Sequence, residues 1–153
     1  MDVEKFLNST LVSRTESIEV PELKTFFGKD KPVWVVKGLT SAELGRVNQA
    51  AESNHKNLKE LVEALASEEG QAAAIRKTMG LGAKDVPADV SRRIELLTEG
   101  SVDPVLGVNR REVAVKLAES FPVVFYKLTT TILSLTGQGA ELGKRKASGA
   151  SKK

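Results

Sequence analysis

The sequence predicts a mainly α protein: a helical bundle of about five helices with a small N-terminal β-hairpin and a flexible basic C-terminal tail. Three observations predict it. β-branched and aromatic residues in strand-like runs occur between residues 14 and 39. From Thr40 to Gly137 apolar residues recur at spacings of three, four and seven, punctuated by capping residues, Gly and Pro. The end of the chain is Gly, Ala, Ser and Lys, with only Leu142 to bury. The expected divisions are an N-terminal segment and hairpin (1–39), a helical domain (40–137) and a basic tail (138–153).

In the hairpin, Ile18 and Val20 alternate with Glu16, Ser17 and Glu19. Pro21 and the Phe27-Gly28-Lys29-Asp30-Lys31-Pro32 stretch interrupt, and Val33-Trp34-Val35-Val36 follows. A two-stranded hairpin is marginal alone, so it must pack on the helical body or on another chain's edge.

Thr40-Ser41-Ala42-Glu43 has the form of a capping box. Leu44, Val47, Ala51, Leu58, Leu61 and Leu65 then form one stripe down a helix of up to 25 residues. Asn54 interrupts the stripe, either fixing a register against a partner helix or marking a break at Ser53-Asn54-His55. Gly70 and Gly80-Leu81-Gly82 bracket an alanine-rich helix over about 71–79, and Asp85-Val86-Pro87 opens another running to about Glu99. Gly100 to Gly107 reads as a loop. Asn109-Arg110-Arg111-Glu112 is a second capping arrangement, ahead of an apolar face of Val113, Ala114, Leu117, Ala118 and Phe121.

Pro122 should end that helix and start the next, whose face is Phe125, Leu128, Ile132 and Leu135, widened by Val124 and Leu133, with Thr129-Thr130-Thr131 on the other side. This least polar segment is either the central core helix or an interface helix. Gly137-Gln138-Gly139 closes it.

Composition bounds the function. The 153 residues are 41% apolar and 28% charged, the balance of one soluble domain. With no cysteine there are no disulfides, thiolate metal sites or cysteine nucleophiles, which fits a reducing cytoplasm. The first residues lack the pattern of a secretory signal, and Phe121–Leu135, with Lys127 inside it, is too short and too polar to span a membrane. The net charge of +3 is local: Lys144, Arg145, Lys146, Lys152 and Lys153 leave a body with 18 positive against 20 negative side chains.

No residue pattern in the sequence marks a catalytic, cofactor or metal site. The single histidine, His55, has no co-ligand of the usual types. Gly143-Lys144 lacks the residues of a phosphate loop, with Gln138 and Arg145 at the deciding positions, and Gly80-Leu81-Gly82 lacks a third glycine. Glu68-Glu69 reads as surface charge. The tail, Arg92-Arg93 and Arg110-Arg111 have no interleaved stacking aromatics, which argues against a dedicated nucleic-acid surface.

Three segments carry a family resemblance: Val35-Val36-Lys37-Gly38-Leu39-Thr40-Ser41-Ala42-Glu43, the Phe121-Pro122 step, and Ile132-Leu133-Ser134-Leu135-Thr136-Gly137. Over about residues 14 to 143 the chain resembles the tail assembly chaperones of long-tailed bacteriophages. The resemblance implies a non-enzymatic helical protein of the host cytoplasm that binds the phage tape-measure protein, keeps it soluble for tail tube assembly and leaves the finished tail. It further implies a longer frameshifted product, whose extension recruits the tail tube protein, with the shift near Gly143-Lys144-Arg145-Lys146. Self-association is allowed by the hairpin's edges and the wide apolar faces.

Candidate partner-binding residues are Trp34, Leu44, Val47, Ala51, Phe121, Phe125, Leu128 and Ile132, for each of which core packing is the ordinary alternative. Two other classes stay open: a tail-completion or connector protein of the virion, and a small basic-tailed nucleic-acid-associated protein.

Overall fold

A computed structural model describes residues 1–65 and 88–143, without the side chains of 54–65 and Ala88. The described residues form α1 (Val3–Leu7), β1 (Leu11–Val12), β2 (Thr15–Glu19), β3 (Val33–Lys37), α2 (Ser41–Leu65), α3 (Ala88–Gly100), β4 (Ser101–Asp103), α4 (Arg110–Ser120), α5 (Pro122–Gln138) and β5 (Glu141–Leu142). Short 3-10 turns lie at Pro21–Phe26 and Gly107–Asn109. The protein is mainly helical with a small antiparallel sheet.

The β-rich region folds as an antiparallel pair, with Ile18 opposite Trp34 and both side chains buried. The connection is no tight turn. Pro21 starts a 3-10 turn that buries Leu23, and the Val20 amide donates to the Pro32 carbonyl at 2.8 Å, extending the ladder by one step.

The reading of Gly100–Gly107 as a loop needs correction. Gly100 ends α3, and Ser101–Asp103 form β4, which pairs with the other side of β3 across a register shift, making the sheet order β2-β3-β4. Three residues are too few to show a period-two pattern, and the strand follows α3 without a break. The Trp34 indole N–H donates to Ser101 Oγ at 2.9 Å and ties β4 to its neighbour.

Helix α2 begins at the expected capping box. The Thr40 amide donates to Glu43 Oε2 at 2.8 Å, and the Glu43 amide donates back to Thr40 Oγ1 at 3.3 Å. The helix runs its full 25 residues to Leu65, so Ser53-Asn54-His55 is not a break. It packs on α3, with Arg46 meeting Glu99 at 3.3 Å and Arg92 Nε donating to Asn48 Oδ1 at 3.0 Å.

Asn109 precedes α4 but makes no side-chain capping bond, contrary to the expected capping arrangement. The 3-10 turn before it leaves Asn109 at φ −90°, ψ 16°, outside the extended region an N-cap needs. Pro122 acts as read: α4 stops at Ser120 and Pro122 is the first residue of α5.

Helix α5 is the central core helix. Val124, Phe125, Leu128, Ile132 and Leu135 are buried against Ile18, Val20, Trp34 and Val36 of the sheet side, Val47 of α2, Leu96 and Leu97 of α3, and Ala114 and Leu117 of α4. Burying a side chain such as Leu128 stabilises by roughly 1.5–3 kcal/mol. Thr129 does not lie on the exposed side with Thr130; it is fully buried. Its hydroxyl donates to the Phe125 carbonyl at 2.9 Å and accepts from Arg93 Nη1 at 2.9 Å, which satisfies the polar group inside the core.

The end of the chain also differs from a continuous tail. Glu141–Leu142 forms β5, paired with β1. The helix expected over 71–79, its flanking glycines, Glu68-Glu69, the Asp85-Val86-Pro87 start and residues 144–153 lie outside the described residues.

Candidate interaction surface

The site is built where β3 passes into α2. Between them Gly38 lies so close to α5 that a Cβ there would stand 2.8 Å from the Leu135 carbonyl carbon, a contact only glycine permits. The next residue closes the junction, since the Leu39 amide donates to Thr136 Oγ1 at 2.9 Å, and that hydroxyl donates to the Ile132 carbonyl at 2.7 Å. Residues 97 apart in sequence are thereby fastened together.

A groove of about 370 Å³ opens over this junction. Leu39, Leu44 and Leu135 give it apolar walls, and Arg14, Thr40, Ser41 and Thr136 a polar rim. Lys37 and Glu43 form an ion pair and hydrogen bond beside it. Burial pushes the Glu43 carboxyl up, but the hydrogen bond and charge of Lys37 and the bonds from the Thr40 amide and hydroxyl outweigh burial, so it sits below the usual carboxylate range.

Of the expected partner-binding residues, Leu44 lines this groove and is partly exposed. Trp34, Val47, Ala51, Phe125, Leu128 and Ile132 are buried, as the core alternative has it. Phe121 is partly exposed at the corner between α4 and α5, where it meets Phe26 edge to face with ring centroids 6.4 Å apart. Phe26, 75% exposed, was not singled out by the sequence, where it stands beside the half-buried Phe27 with no period to separate the two. A second groove of about 300 Å³ lies beyond β4, lined by Thr98, Ser101, Val102, Val105, Val108 and Arg110 among others.

The carboxylates nearest the core are engaged by cations: Glu43 by Lys37, and Glu95 by Arg111 at 3.0 Å. Among the described residues no three His, Cys, Asp or Glu side chains gather where they could hold a metal ion, and no helix is long and apolar enough to cross a membrane. His55 falls on α2, where side chains are outside the described set. The arrangement offers apolar contact framed by polar rims.

The chain matches no protein-family model, no curated protein and no solved structure.

Proposed function

We propose that this protein is a non-enzymatic tail assembly chaperone of a long-tailed bacteriophage, acting in the host cytoplasm to keep the tape-measure protein soluble while the tail tube is built. The observation that carries the reading is that two of the three segments bearing the family resemblance, Val35–Glu43 and Ile132–Gly137, converge on one groove and supply most of its lining. The third segment, Phe121-Pro122, forms the aromatic corner with Phe26.

A long, helix-rich apolar client suits such a surface. Each groove takes one apolar stretch weakly, and many copies along the client multiply the effect. A frameshifted longer product would bring the tail tube protein to the same client. A slippery run in the codons for residues 140–150, with an overlapping frame beyond, is the expected finding for that part.

Co-expression with the tape-measure protein of the same genome tests the chaperone role: the client stays soluble and co-purifies. An insoluble client with no complex rejects it. Finding the chain as a stoichiometric part of purified particles would favour the tail-completion or connector reading, and duplex binding that survives deletion of residues 144–153 the nucleic-acid reading.

A further inference from the structure

The core begins at Ile18 and ends at Leu135, and the chain beyond those limits closes on itself. Leu11 stands opposite Leu142 and Val12 opposite Glu141 in an antiparallel ladder. The Gly143 amide donates to the Thr10 carbonyl at 2.9 Å, and Arg14 Nη1 meets Glu141 Oε2 at 3.2 Å.

The ladder itself does not rest on the core, although Arg14 beside it is half-buried, with its Nε enclosed, and lines the groove with Leu39 and Leu135. No residue of α1, β1 or β5 is buried, and Val3, Phe6 and Leu7 of α1 are each more than half exposed. The Arg14–Glu141 pair is 36% and 48% exposed, so water and salt screen it. On the C-terminal side the strand leaves α5 through Gly139, held at φ 73°, a natural pivot. On the N-terminal side Ser13 and Arg14 separate β1 from β2. Segments with few buried contacts open at a small fraction of the global unfolding cost, and they open as cooperative units where they share their hydrogen bonds.

We infer that the β1–β5 ladder is a clasp: residues 1–13 and 139–143 open together from a body that stays folded. The two strands are each other's only ladder partners among the described residues. Opening the clasp also carries Ser13, Gly139 and Ala140 away from the lining of the groove over the Gly38 junction.

Hydrogen exchange of the intact chain, read by mass spectrometry, tests it. Peptides covering 9–13 and 140–143 should exchange at one common rate, well above that of β2 and β3. Gly143→Val would set its side chain against Val12 Cγ1, 3.2 Å from the position of a Cβ, and should raise exchange on both sides of the clasp. Arg14→Ala should raise both by about two- to fivefold, an effect that salt removes and that the double exchange Arg14→Glu with Glu141→Arg reverses. Unchanged protection of β2 and β3 in each variant reports that the body is folded. The clasp is rejected if the two segments exchange at different rates, if they exchange with β2 and β3, or if Gly143→Val leaves residues 9–13 unaffected.

Discussion

Two antiparallel ladders in this molecule share a bonding pattern and differ in what lies behind them. β2 and β3 pair over five residues, with Ile18, Trp34 and Val36 pressed onto α5 and its neighbours. β1 and β5 pair over two, with all four residues exposed. Backbone hydrogen bonds add little net stability, because water offers the unfolded chain equivalent partners. The difference teaches that burial turns a ladder into a fixed part of the fold, and that a ladder without it is a reversible contact.

The sharpest way to break the comparison is to remove burial from the first ladder's support. Leu128→Ala, at a fully buried position on α5, should cost about 2–5 kcal/mol in chemical denaturation and loosen the three-stranded sheet with the rest of the body. Trp34→Phe should cost about 1–3 kcal/mol, because it removes the donor to Ser101 Oγ, and exchange should rise first in β4.

Glu43→Gln should cost up to about 1 kcal/mol: glutamine can still cap the Thr40 amide, but the ion pair with Lys37 is lost. Its pH dependence has a definite sign. A carboxyl whose folded pKa is depressed stabilises above its unfolded pKa, and that stability is lost as pH falls through the folded value. The gap between the wild-type protein and the Glu43→Gln variant should therefore be constant near neutrality and close in acid. At the bottom of the scale, Arg14→Ala should change global stability by less than about 1 kcal/mol while it speeds local exchange in the clasp. If Arg14→Ala and Leu128→Ala had equal effects on global unfolding, the distinction between the two ladders would fail.

Local rules carried far in the sequence. The capping box at Thr40–Glu43, the Pro122 start of α5 and the buried face of Phe125, Leu128, Ile132 and Leu135 depend on neighbours within a few residues, and each was legible. Asn109 shows the limit of such rules: the residue types of a cap were present, but the turn ahead set the backbone outside the required region. Thr129 shows another, since its burial depends on Arg93, 36 positions away, meeting the hydroxyl.

β4 and β5 were missed because strands of three and two residues carry no periodicity, and their partners are remote in sequence. The groove was half legible. Leu44 could be named from the helix stripe, but its opposite wall at Leu135 and Thr136 came within reach only through the close approach at Gly38.

The measurement closest to the central claim is the fraction of tape-measure protein that stays soluble when co-expressed with this chain, compared between the wild-type protein and Leu44→Glu. Leu44 lies on the groove and is only partly buried, so the charge falls on the proposed client surface more than on the core. A soluble client with the wild-type protein, lost with a folded Leu44→Glu variant, is the result predicted here. A client that is insoluble with both, or equally soluble with both, would contradict the assignment of the groove as the client-binding surface.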